Sequence, residues 1–244
     1  MRVLSTAILL LLFVGCDNED APDCLKSSGE LVSQTIEVAT FNELLVNNEF
    51  EVVLTQGATI EVKLTVGENI LKEIDFISDG VLLEVSNNIS CKWVRDYDFP
   101  LLEITHPNIS AIEIIGGSTV RSNGVLTIDN ISFRSKSSNG IFNLTLNADN
   151  ESIDNNEITN YFIEGSANNL NLVYSSGNGR FEGANFLVND AIISHNGSND
   201  IIVNVSNELS GSIGSTGDLV YVGEPPAVIN VTTDNRGKLI DGTD

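Results

Sequence analysis

Turns rich in Ser, Gly and Asn return through the second half of this chain, each followed by a short apolar strand: GGSTV at 116, SSNGIFNLTL at 137, GSANNLNLVY at 165, SSGNGRF at 175, NGSNDIIVNV at 196 and GSTGDLVYV at 214. Arg180, Asp200 and Asp218 follow one another at nearly equal steps, and Ser118 to Ser138 repeats the first of those steps. The period, about 20 residues, is the length of one coil of a β-solenoid. In such a stack each coil lies about 4.8 Å from the next, backbone groups pair between coils, and alternate side chains build a continuous core. Alternation puts Phe142, Leu144 and Leu146 inside with Asn143 and Thr145 outside, and likewise Ile201, Val203 and Val205 inside with Asn204 outside. Between Asn139 and Ser175 the spacing is irregular, which reads as a coil carrying an insertion across ADNESIDNNEITN, residues 148–160.

The first half behaves differently. From Thr35 to Pro107 strands alternate with period two in TIEV, FEVVLT, IEVKLTV, VLLEV and LLEIT, broken by turn residues such as QG, DG and NN, without the longer repeat. Only ENILKEI, residues 68–74, reads as a helical turn or two. The expected fold is all-β, a single-stranded right-handed β-solenoid (β-helix) with coils of about 20 residues. An antiparallel β-sandwich is the alternative, and the N-terminal half suits it.

The N-terminus, MRVLSTAILLLLFVGC, places Arg2 before an apolar run that ends at Gly15 and Cys16. That is the pattern of a cleaved export signal, and polar DNED follows too soon for a transmembrane span of roughly 20 residues. FVGC resembles a bacterial lipobox, with Phe13 where Leu is usual. The resemblance implies a signal over 1–15, diacylated Cys16 as the new N-terminus, and the lipid bilayer as a partner through its acyl chains. The acidic segment after it reads as a tether over 16–34, leaving 35–240 as the folded domain. Acidic residues in this position also resemble a surface-export signal of some Gram-negative lipoproteins. The expected location is therefore the outer membrane, facing either the periplasm or the outside. Export through an oxidising compartment predicts a disulfide between the two remaining cysteines, Cys24 and Cys91. With 34 acidic against 12 basic residues and a net charge of −22, the chain repels polyanions, which argues against nucleic acid as a partner.

Three stretches, TFNELLVNNEFEVVLTQG (40–57), ISDGVLLEVSNN (77–88) and GSTGDLVYVGEP (214–225), together resemble the head GIN domain family of exported bacterial proteins. The last of them departs from the family's usual Gly-Ser-Gly run. The resemblance covers about residues 35–240 and implies one β-solenoid domain behind a signal peptide, with an adhesive role as the family's name has it.

Chemistry-bearing motifs are few. No G-x-S-x-G elbow occurs, and the two histidines, His106 and His195, sit in turn-like HPN and SHNG contexts without a ligand-spaced neighbour. GSIGSTG lacks the lysine of a phosphate loop and leads into a strand, so it reads as a corner of the final coil, with Pro225 and Pro226 ending the stack. Asp149, Glu151 and Asp154 form the least scaffold-like acidic cluster and could serve as weak calcium ligands or as a carboxylate pair for polysaccharide cleavage. The segment CKWVRDYDFP offers Trp93, Arg95 and Tyr97 as a surface contact patch. The expectation is a non-catalytic binding, adhesion or structural module of the envelope, without cofactor or metal, contacting a glycan or an envelope protein. A polysaccharide-active glycoside hydrolase or lyase is the alternative.

Overall fold

The computed structural model describes residues 27–90 and 98–243. Cys16, Cys24, Cys91, Trp93, Arg95 and Tyr97 lie outside the described residues, and with them the lipidation site, the expected bridge and the expected contact patch. The first half contains strands β1 (Leu31–Thr35), β2 (Glu43–Asn47), β3 (Glu51–Gln56), β4 (Glu61–Gly67), β5 (Ile74–Ser78), β6 (Leu82–Asn87), β7 (Leu101–His106) and β8 (Ala111–Ile115). ENILKEI forms a turn at 68–70 and a 3-10 turn at Leu71–Glu73 before β5 begins at Ile74. The second half contains the long strands β9 (Thr119–Lys136), β10 (Ile141–Asn155), β11 (Asn160–Tyr174), β12 (Phe181–His195) and β13 (Ile201–Ile213), then β14 (Leu219–Tyr221), β15 (Val228–Thr233) and β16 (Leu239–Asp241).

From β9 to β13 every strand pairs in parallel with its successor one coil later. Ile141 stands beside both Thr119 and Asn160, and Phe181 beside both Tyr161 and Ile201. This is a β-solenoid. Within β10 three segments pair separately, 141–143, 145–148 and 150–155, so the coil turns at two bends and closes through the corner after Asn155. Because side chains alternate, each coil delivers the same inward set: Phe142, Leu144, Leu146, Ile201, Val203 and Val205 are all buried, as their alternation predicts. Aromatic rings continue from coil to coil, with Phe142 stacked on Tyr161 at 4.8 Å and 5° and tilted against Phe133 at 5.1 Å. Such pairs add about 0.5–1.5 kcal/mol each beyond their buried area.

Close packing of coils makes some glycines compulsory. Gly165 has φ +109°, and a Cβ there would lie 2.0 Å from the Leu146 carbonyl oxygen of the preceding coil. Gly211 in GSIGSTG is the same case against Ile193, so it belongs to a strand, while Gly214 and Gly217 make the corner.

Three expectations need correction. The sandwich alternative for the first half fails: its strands belong to the same stack, wound out of sequence. β2 lies between β6 and β8, and β3 between β7 and β9, all in parallel. Among the described residues antiparallel pairing is confined to β1 with β4, β4 with β7 and β5 with β6, at the far end of the stack. Second, residues 148–160 hold no insertion. The step from Ile141 to its stacked partner Asn160 is shorter than the step from Thr119 to Ile141 before it or from Tyr161 to Phe181 after it, and β10 runs through to Asn155. Third, Pro225 and Pro226 do not end the stack. They occupy the bend between β14 and β15, where no ladder N–H is required, and β15 and β16 continue in parallel on β13 and β14.

Candidate functional site

The alternation that builds the core is interrupted in each coil at the second bend, where two consecutive residues both face solvent, as at Asp129–Asn130, Asp149–Asn150 and Asn168–Asn169. Asn189–Asp190 and Asn207–Glu208 occupy the same place in the next two coils. Short polar side chains that tolerate irregular backbone suit such a bend. Stacking sets their side chains in columns a coil apart, where amides bond to amides.

In one column Asn150 Nδ2 donates to Asn130 Oδ1 (2.8 Å) and Asn169 Nδ2 to Asn150 Oδ1 (2.9 Å). In the adjoining column Asn168 Nδ2 donates to Asp149 Oδ1 (2.8 Å), Asn189 Nδ2 to Asn168 Oδ1 (2.9 Å), and Ser206 Oγ to Asn189 Oδ1 (3.2 Å). Asn207 Nδ2 donates to Asp190 Oδ1 (2.5 Å). The result is a polar ridge along the solenoid axis. The repeated pair of Asp, Asn or Glu in IDNI, ADNE, ANNL, VNDA and SNEL is the signal that locates it, at a different corner from the Ser-Gly-Asn turns.

A groove runs along each flank of the ridge. The larger, about 400 Å³, has the Asn130–Asn150–Asn169–Asp190 column as one wall and Ser132, Ser152, Asn171 and Ile192 as the other, and reaches Ser110 at one end. The second, about 330 Å³, lies between the ridge and the column Thr127, Asn147, Ser166 and Leu187. The apolar wall members Ile192 and Leu187, both from β12, are 61% and 49% exposed.

The expected acidic cluster does not assemble. Asp149 faces solvent at the bend and accepts from Asn168, Asp154 faces solvent from β10, and Glu151 points inward and is 2% exposed. Among the described residues no group of three His, Cys, Asp or Glu is placed to hold a metal ion. Glu151 stacks between Ile131 and Leu170 with neither carboxyl oxygen hydrogen-bonded. Burial pushes its pKa from 4.5 up to about 8, which keeps it mostly protonated at neutral pH. The phenols of Tyr161 and Tyr174 are likewise buried without partners, their titration raised by desolvation, while neighbouring Ser135 spends its proton on Asn155 Oδ1 (2.6 Å).

Neither histidine is offered to a ligand. His106 Nε2 bonds to the Phe41 carbonyl (2.7 Å) and its Nδ1 accepts from the Asn108 N–H (3.1 Å). His195 is fully buried at the end of β12, its Nδ1 accepting from the Gly197 N–H (3.3 Å) and its ring edge-on to Tyr174. Desolvation lowers the pKa of both, so both are neutral at pH 7.

Among solved structures, the fold is similar to that of a putative adhesin from Bacteroides fragilis NCTC 9343, with 23% identity, a TM-score of 0.79, and 87% of this chain and 97% of that one covered. It is also similar to a putative lipid binding protein from Parabacteroides distasonis ATCC 8503 (13% identity, TM-score 0.66, 88% and 98% covered). A putative adhesin from Parabacteroides merdae ATCC 43184 is a third (18% identity, TM-score 0.58, 88% and 97% covered). No curated protein is similar enough in sequence to count as a relative. The family model described as "Putative auto-transporter adhesin, head GIN domain" matches residues 40–225, and the chain belongs to that family.

Proposed function

We propose that this chain is a lipid-anchored protein of the outer membrane, exposed on the cell surface or to the periplasm, whose solenoid is a non-catalytic binding or adhesion module. The observation that carries the binding role is the ridge and its two grooves: amides and hydroxyls repeat in register from coil to coil, whereas the expected carboxylate cluster is dispersed between solvent and core. A face of that kind offers an extended ligand many equivalent contacts. Glycoside hydrolysis needs instead two carboxyl groups converging on one bond.

Anchoring rests on the sequence, on Cys16 behind an apolar signal and ahead of the acidic tether. Two or three acyl chains hold a protein durably where one does not. The test is to express the chain in a Gram-negative host with a clickable fatty acid, follow label and fractionation, and then measure binding of the protein to isolated cell-envelope material. Labelled wild type, unlabelled Cys16→Ala and saturable envelope binding are the expected results. An unlabelled wild type refutes the anchor. Release of reducing sugar that one Asp or Glu substitution abolishes refutes the non-catalytic role.

A further inference from the structure

We infer that the larger groove, between the Asn130–Asn150–Asn169 column and the Ser132–Ser152–Asn171 column, binds a linear, uncharged glycan lying along the solenoid axis. This rests on the binding role proposed above and names its ligand class.

An amide in the ladder spends one N–H on the coil before it and one oxygen lone pair on the coil after it. A side-chain amide has two N–H groups and two lone pairs, so Asn150, which both donates and accepts within the column, keeps one of each. Its orientation is already fixed by the ladder, so ligand binding costs little side-chain ordering. Across the groove, Ser132 and Ser152 add hydroxyls that donate and accept, and Asn171 a further exposed amide. The groove therefore presents facing amides and hydroxyls at a spacing of about 4.8 Å over three coils, Asn130 with Ser132, Asn150 with Ser152 and Asn169 with Asn171, on an otherwise largely apolar surface that reaches Ser110 at one end and Asp190 and Ile192 at the other, a length of roughly 19 Å. A ligand that satisfies such a row carries hydroxyl groups, each donor and acceptor at once, along both edges of a chain of rings. The exposed Ile192 side chain gives the apolar face of one ring a place to rest.

The alternatives fit less well. A peptide strand would need free backbone N–H and C=O groups to pair with, yet the floor of the groove is the backbone at Ile131, Glu151 and Leu170, already engaged between coils. An anionic polysaccharide meets Asp190 in the wall and a chain of net charge −22.

The test uses the full chain against tetra- and hexasaccharides of neutral glucans, mannans, xylans and N-acetylglucosamine polymers, by calorimetry, with polygalacturonate and an uncharged extended peptide alongside. At least one neutral series binds, with affinity rising to about four rings and then levelling, the length of five coils. Asn171→Trp, which fills the groove from an exposed wall position, weakens that binding at least tenfold. Asn143→Trp, exposed on the preceding coil but lining neither groove, leaves it unchanged, and circular dichroism checks that both variants fold. Binding that survives Asn171→Trp, or confined to polygalacturonate or the peptide, overturns the inference. Saturable envelope binding without any neutral glycan also overturns it, while leaving the binding role intact. Loss of both removes the binding role too.

Discussion

Replacing Glu151 by leucine should stabilise the protein, and should do so in proportion to pH. The carboxyl sits in a column whose other members are Ile131, Leu170, Ala191 and Leu209, with both oxygens unbonded. Its pKa moves from 4.5 to about 8 because folding strips its water. The folded state thus holds a proton that the unfolded state releases between those limits, and stability falls as pH rises through that window and is flat outside it. At 1.36 kcal/mol per pH unit the loss is about 3 kcal/mol at pH 7 and about 5 kcal/mol above pH 8. A buried acid without a partner costs about 1–3 kcal/mol more at any pH. Urea unfolding of wild type and Glu151→Leu at half-unit steps from pH 4.5 to 8.5 gives the difference directly, with slopes compared to confirm equal exposure on unfolding. The advantage of leucine should grow from about 1–3 kcal/mol at pH 4.5 to about 4–6 kcal/mol at pH 7. His106 and His195, whose pKa values are lowered, destabilise the fold in the opposite direction as pH falls below 6.5. They are present in both proteins and cancel. A difference that stays flat across the range refutes the buried, protonated carboxyl.

Gly165→Ala should cost about 3 kcal/mol or more, because its Cβ would meet the Leu146 carbonyl at 2.0 Å; Gly124→Ala, also at positive φ but with open space around it, should cost about 1 kcal/mol, and urea midpoints separate the two. Phe142→Ala removes the ring that stacks on Tyr161 and should lower stability by about 3–5 kcal/mol in the same assay. Thiol counting on the exported protein under denaturing, non-reducing conditions should find neither Cys24 nor Cys91 free. Reduction should then cost on the order of 4 kcal/mol, and two free thiols rule the bridge out.

What can be read from the sequence follows from the order in which coils are laid down. From Thr119 the chain lays each coil on the last, so spatial neighbours are one coil length apart and turn chemistry repeats visibly. Before that, Glu43 neighbours Leu82 and Ala111, and Glu51 neighbours Leu101 and Thr119, separations that no search at the coil period detects. The gap between Asn139 and Ser175 has two local causes. The corner after β10 reads NEIT without a glycine, held instead by Asn155 Nδ2 donating to the Thr159 carbonyl and Thr159 Oγ1 donating to Ser138 Oγ. And Glu151 stands where the alternation calls for an apolar residue, so a buried strand passes for a solvated loop. The bend ridge escapes sequence reading for a related reason. Two outward residues in succession break period two, and the break that hides the strand pattern is what builds the ridge.

A stack of this kind needs its two ends closed differently. At the N-terminal end the direction of the chain reverses: β4 lies antiparallel on β7, β1 antiparallel on β4, and β5 antiparallel on β6. The outermost strands there no longer present the parallel register of a coil, so another solenoid cannot simply continue the stack. At the other end β15 and β16 keep that register and, among the described residues, each is paired on one side only, with Val228 and Ile229 half exposed. Their protection is of another kind. β15 and β16 are short strands, and Asp234, Arg236 and Lys238 stand between them. Short edges flanked by charge are poor templates for a further strand. A second copy approaching end-on also meets the repulsion of a −22 chain before any strand can pair. The acidic excess that argues against nucleic acid as a partner thus also works against a second copy pairing on this edge.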